Sequence, residues 1–371
     1  MRSDSRLGLD SLYAALGQKQ IPALDGVRMI AVFLVILYHF GFSAVPGGHG
    51  VMIFFVLSGF LITWLLLDEQ AISGTVSLRQ FYWRRTLRIF PAFYAFWFLL
   101  MAVVVFRDGG RPDAHSWSAF FYVSNYYSAL NDHPVNGLSH TWSLGVEEQF
   151  YLLWPAVFLL CRSNLRLMTH VLVAVIGCVV IHRSLLTLVF GVDQSYIYSA
   201  FDTRVDQLMV GCLVAVLLKR RALEWFWTRV CAHPVAPLVT VALVVASMRI
   251  APLLGVYFRE TVGYTIQGIL YGVLLIQMVA LSSTPAWSWL NYAPARFLGR
   301  ISYPLYLYQQ LTLYPVRRML AEYPVPVQLV AAVMVTILVA SVSYYVVERP
   351  FLRLKHRTDL LRRLNRRVAT A

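Results

Sequence analysis

From residue 24 onward the chain repeats one pattern, apolar runs of about 15 to 22 residues, the length of a helix that crosses the hydrocarbon core of a bilayer. Candidate spans fall at 24–42, 51–67, 89–106, 149–161, 168–190, 208–218, 235–250, 264–281, 301–313 and 327–347. The expected fold class is all-α, a polytopic transmembrane helical bundle of about ten spans. The fourth, sixth and ninth runs are short, which predicts tilting, extension into polar flanks or re-entry. Pro155 in the fourth and Pro304 early in the ninth are the weak points. Composition agrees: 58% of the residues are hydrophobic, against about 45–50% in soluble domains. The first run lacks a small-residue cleavage site and opens a series, so it reads as a span and not as a removed signal peptide.

Charge sets the orientation. The formal net charge is +14, which could suggest nucleic acid until it is mapped. Arg79, Arg84, Arg85 and Arg88 follow the second run, and Arg162 and Arg166 follow the fourth. Lys219, Arg220, Arg221 and Arg229 follow the sixth, and Arg296 and Arg300 precede the ninth. With ten spans these all lie on the side of the N-terminus, and the positive-inside rule makes both termini cytoplasmic. Arg317 and Arg318 are the exception, at the outer end of the ninth run. The expected organisation is a cytoplasmic segment 1–23, a transmembrane domain 24–347 and a basic cytoplasmic tail 348–371 that lies on anionic lipid. The partners expected are the bilayer and small ligands, with no nucleic acid. Cys161, Cys178, Cys212 and Cys231 sit in spans or at their inner ends, with no disulfide framework and no metal-type spacing.

Two ionisable residues mark the first span. Arg28 and His39 are eleven positions apart, roughly three turns at about 100° per residue, so they share one stripe about 16 Å apart. Ionisable residues inside a span are costly and point to function. His39 has the ordinary general-base chemistry of a neutral imidazole, or it is simply hydrogen-bonded to a neighbouring helix. Arg28 is an anion clamp for a phosphorylated ligand or snorkels to lipid phosphate. Arg85 and Arg88, three apart on one helix face, fit a phosphate-binding patch with Arg84, and fit a positive-inside stop signal equally well.

Two segments on the outer side carry further candidates. In His140–Pro155 a polar, aromatic stretch runs into an apolar helix headed by Glu147 and Glu148. These carboxylates cap a helix N-terminus, or Glu147 pairs with His39 and orients it as in a triad. The segment opening the sixth run brings Arg204 and Asp206, which are interfacial charges or hold a polar substrate such as a sugar. No glycine-rich phosphate loop, GxSxG elbow or HExxH motif is present.

These pieces together resemble the acyltransferase-3 family of integral-membrane O-acyltransferases. The resemblance runs from about Ile21 to Leu354. It is carried by Leu24–Arg28 with His39, by Phe54–Leu61 and by Arg84, Arg85 and Arg88 through Pro91. It continues in Trp142, Ser143 and Leu144 with Glu147 and Gln149–Tyr151, in Arg204 with Asp206 and Gly211, in Gly299–Tyr303 and in Glu348–Pro350. The chain departs from many relatives at Met52, where an acidic or polar residue is common, and at Gln309, where a histidine is common.

The resemblance implies an acyl-CoA donor, usually acetyl-CoA, no metal, and a hydroxyl acceptor on a carbohydrate or glycolipid such as a cell-surface polysaccharide. It implies essential roles for Arg28 and His39 and a carboxylate role for Glu147, in a multi-pass protein of the bacterial inner membrane. On this reading Arg28, Arg84, Arg85 and Arg88 hold the donor and His39 is catalytic with Glu147. Trp142, Ser143, Arg204 and Asp206 contact the acceptor. Direct attack and a covalent acyl-His39 intermediate both remain open. Some relatives add a hydrolase-like extracytoplasmic domain, and its lack here would leave delivery to the membrane domain. A transporter or flippase for lipid-linked sugars is the competing class, but the inverted repeats expected of it are not visible.

Overall fold

The computed structural model describes residues 12–18, 21–107, 109–161, 164–250 and 253–354. The predicted tail beyond residue 354, Arg162 and most of the N-terminal segment lie outside these. Among the described residues there is no strand, and ten helices reach 15 residues or more. They are α1 (Pro22–Phe40), α2 (Gly47–Ser73), α3 (Leu78–Ala102), α4 (Trp142–Leu160), α5 (Leu165–Leu188), α6 (Phe201–Lys219), α7 (Ala236–Ile250), α8 (Tyr264–Leu281), α9 (Ser302–Met319) and α10 (Val325–Ser343). Each predicted span coincides with one of them. Local chemistry sets several starts. Pro22 occupies the first turn of α1, where its missing N–H costs nothing. Ser77 accepts from the Gln80 amide to cap α3, and Asn164 caps α5.

Six of the ten are long and apolar enough to cross a membrane: α1, α2, α3, α5, α8 and α10, with α3, α8 and α10 extended by adjoining turns. The others differ for a physical reason. α7 has only 15 residues. α4, α6 and α9 carry interior polar groups, including Glu147, Arg204 and Gln309. The three runs that looked short are longer helices whose polar flanks are helical as well. The fourth gains its first two turns, Glu147 included, from the stretch that precedes its apolar part.

α10 shows how the bundle meets lipid. Val330, Met334, Leu338 and Val342 form one exposed apolar stripe, while Gln328, Ala332, Thr336, Ala340 and Ser343 are buried. Small and polar residues inside with apolar residues outside is the arrangement of helices packed in a bilayer. A very close crossing joins α2 to α6. A Cβ on Gly59 would lie 1.9 Å from the Leu208 carbonyl oxygen, and one on Gly211 would lie 2.0 Å from that of Val56. Only glycine lets the two backbones touch there.

Contacts at the helix ends establish the up-and-down course. At the face where α1 begins, Lys219 at the end of α6 pairs with Asp68 near the end of α2, and Gly299 just before α9 rests on the Asp25 carbonyl. At the opposite face, Arg317 near the end of α9 reaches Phe40 at the end of α1. The long connection between α3 and α4 is not a surface loop. Its short helices Ala114–Phe120 and Ser124–Leu130 bury His115, Asn125 and Ser128. Trp97 of α3 donates to the Ser116 carbonyl at 2.8 Å, and Gln149 of α4 donates to Asn125 at 2.8 Å.

Candidate active site

α1, α2, α3, α4 and α9 line a half-open pocket of about 730 Å³ that includes its open mouth. Arg28, Arg85 and Arg88 line it together with one carboxylate, Glu147. Arg28 is steadied by Asp25 one turn earlier, at 2.9 Å. The Arg85 guanidinium lies 4.8 Å from the centre of the Tyr151 ring. Ser58 of α2 donates to Glu147 Oε1 at 2.7 Å. At the upper wall Ser143 Oγ and the Tyr306 hydroxyl are 2.6 Å apart, and Tyr306 also donates to the His140 carbonyl at 2.9 Å.

One turn beyond Tyr306 on α9, Gln309 is fully buried. Its Oε1 lies 3.1 Å from His39 Nδ1. The stripe expected on α1 is therefore real: Arg28 faces the pocket beside Ser302 and Tyr303 of α9, and His39 meets the same helix further along.

The other predicted residues divide. Arg84 turns away from the pocket and pairs with Glu69 of α2, because a one-residue step on a helix rotates its side chain by about 100° from Arg85. Glu147 does not pair with His39. It lies among the arginines with Ser58, while the histidine takes an amide partner from α9. Asp206 is not beside an open mouth. It is fully buried, 3.1 Å from Arg183 and hydrogen-bonded to Thr265. Arg204 is also fully buried and has no hydrogen-bond partner among the described residues. Its guanidinium packs over Tyr264 at 4.0 Å, Tyr198 at 5.1 Å and Trp142 at 5.8 Å. Trp142 is thus a wall of this aromatic enclosure, and Ser143 alone of the four acceptor candidates lines the pocket.

Four residues escaped the sequence reading as partners. Ser58 and Tyr303 lie within Phe54–Leu61 and Gly299–Tyr303, where nothing in the sequence singles out either side chain. Gln309 carries no sequence signal beyond its departure from the family pattern. Arg183 is an arginine within the fifth apolar run, and its cost there was a usable signal. Among the described residues no group of three or more histidine, cysteine or acidic side chains could hold a metal ion.

An all-helical membrane bundle that turns three arginines and one carboxylate into an interior pocket is the architecture of a multi-pass membrane protein with a polar ligand site. The chain belongs to the acyltransferase-3 family, whose profile, described as an acyltransferase domain, matches residues 21–345. It is 32% identical to the peptidoglycan O-acetyltransferase OatA of Listeria monocytogenes over 368 residues, covering 90% of this chain and 56% of that protein. It is 31% identical to the O-acetyltransferase OatA of Staphylococcus aureus over 373 residues, covering 92% of this chain and 58% of that protein. The chain thus spans a little over half the length of these curated relatives. No solved structure matches it.

Proposed function

We propose that this protein is a membrane O-acyltransferase that moves an acyl group, acetyl by family resemblance, from acyl-CoA to a hydroxyl of a cell-surface carbohydrate or glycolipid. The observation that carries this reading is the charge of the pocket. Three arginines and a single carboxylate leave a cationic chamber in a low-dielectric surround, where guanidinium groups suit phosphate. Arg28, Arg85 and Arg88 hold the phosphates of the donor. By the positive-inside rule the arginine-rich turns favour a cytoplasmic location for the face at which α1 begins; on this reading the donor enters from the cytoplasm and all ten helices count as spans of the inner membrane.

His39 lies about 16 Å along α1 from Arg28, and the Ser143–Tyr306 pair stands between them. An extended pantetheine arm can bridge that interval and bring the thioester to the imidazole. His39 takes the proton of the acceptor hydroxyl as its oxygen attacks the thioester carbonyl. The tetrahedral intermediate collapses to the ester and the CoA thiolate, which recovers the proton from His39. Glu147, seated among the arginines, balances their charge. The names of the relatives, peptidoglycan O-acetyltransferase among them, support a cell-wall glycan as acceptor.

The test is release of free CoA thiol from acetyl-CoA by purified protein, with and without an envelope glycan extract, with His39→Ala alongside. Extract-dependent release that is lost in His39→Ala is the expected result. A folded, fully active His39→Ala protein sinks the assignment of the base. No release by the wild-type protein with several acyl chain lengths moves weight to transport of lipid-linked sugars.

A further inference from the structure

Helix α9 grips the end of α1 at two points. At the first, Gln309 Oε1 faces His39 Nδ1 at 3.1 Å. At the second, about two turns along, Arg317 Nη1 donates to the carbonyl of Phe40 at 2.7 Å, and its guanidinium lies 5.4 Å from the centre of the Phe40 ring. That carbonyl belongs to the residue that follows His39. The ring is held by Gln309 and by the backbone of Val35 one turn earlier on α1, and Arg317 holds the main chain behind it.

A neutral imidazole carries its proton on one nitrogen and its basic lone pair on the other. A carboxamide oxygen can only accept, so the ring nitrogen that faces it bears the proton. The lone pair is then on Nε2, pointing away from Gln309. In water a free histidine side chain prefers the opposite form, with the proton on Nε2. The contact with α9 therefore has a preference to overcome, and together with the Val35 backbone it bears on which ring atom is available as a base.

We propose that Gln309 is a positioning residue that selects the Nδ1–H form of His39, so that Nε2 is the atom that takes the acceptor's proton, with Arg317 holding the main chain in place. The role of that proton rests on the acyltransferase reading above; the protonated atom itself is a property of the resting protein. This makes the base–orienter pair neutral, an imidazole and an amide, where the usual orienting group is a carboxylate.

Two measurements on the full chain in detergent test this. The first is the ¹⁵N spectrum of the histidine rings, with His39 assigned by its loss in His39→Asn. Wild type should show the Nδ1–H form, Gln309→Leu should move the balance toward Nε2–H, and Gln309→Glu, which keeps an accepting oxygen, should retain Nδ1–H. Finding wild-type His39 in the Nε2–H form overturns the proposal, whether or not any variant folds. The second is thiol release from acetyl-CoA with the envelope glycan extract. Gln309→Leu should lower kcat by about ten- to a hundredfold, the order seen when a partner that orients a metal-bound histidine is lost. Its KM for acetyl-CoA should stay within about twofold, and Gln309→Glu should recover most of the loss. A folded Gln309→Leu protein with wild-type kcat overturns the proposal. If wild type releases no thiol, the acyltransferase reading fails and the ring spectrum alone decides the protonated atom.

Discussion

Ser58 of α2 donates a 2.7 Å hydrogen bond to Glu147 of α4, and this contact anchors the one carboxylate in a pocket that also holds three arginines. A buried carboxylate is tolerable when it is hydrogen-bonded and faces opposite charge. Removing that charge leaves the arginines to repel one another. Glu147→Gln should therefore lower stability by about 1–3 kcal/mol without raising the KM for acetyl-CoA, since an anionic donor replaces the lost charge. Thermal unfolding with and without acetyl-CoA measures both; an increased KM would contradict this account.

Arg85 and Arg84 are neighbours in sequence with different surroundings. Arg85 lines the pocket, while Arg84 is paired with Glu69 at the turn between α2 and α3. Arg85→Gln should raise the KM for acetyl-CoA by about ten- to a hundredfold, the worth of about 1.5–3 kcal/mol of charge-assisted hydrogen bonding. Arg84→Gln acts on a partly exposed ion pair and should cost about 1 kcal/mol of stability or less, with a much smaller change in KM. Equal effects on KM would place both guanidinium groups at the donor.

Gly41 ends α1 with φ of +122°, a region costly for residues with a side chain. A Cβ there would also lie 2.7 Å from Arg317 Nη1. Gly41→Ala should therefore cost about 1–3 kcal/mol of stability and lower turnover through displacement of Arg317. A melting temperature indistinguishable from wild type would argue that the end of α1 relaxes freely.

Arg183 and Asp206 are both fully buried at 3.1 Å. Breaking such a pair leaves an uncompensated charge, so Arg183→Met should destabilise the protein by about 3–5 kcal/mol. The double variant Arg183→Met with Asp206→Leu should recover much of that, because neither charge is then stranded. A double-variant cycle in detergent reads the coupling directly; additive losses would mean that the pair is not energetically joined.

Gly211→Val should prevent assembly outright. The Cβ position already lies 2.0 Å from the Val56 carbonyl oxygen and 2.7 Å from the Phe60 nitrogen, both backbone atoms that cannot rotate aside. The measurement is recovery of monodisperse protein from detergent extracts, and normal yield would show that α2 and α6 can separate without loss of the fold.

What the sequence by itself determined was local and periodic. A run of apolar residues becomes a helix through hydrogen bonds within four residues of each other, so the ten helices were legible. So was the shared stripe of Arg28 and His39, which needs only the helical repeat. The short runs extend into their polar flanks, one of the three outcomes expected, because Glu147, Arg204 and Arg317 lower the hydropathy of segments that are nonetheless helical. Only the tertiary structure decided which distant side chains meet. His39 and Gln309 are 270 residues apart, and Glu147 found Ser58 and not His39. Asp206 took Arg183 from α5 in place of Arg204, its neighbour two residues away. These pairings depend on how closely helices approach and at what height they cross. The backbone contact at Gly59 and Gly211 sets part of that geometry, and no spacing along a single helix contains it.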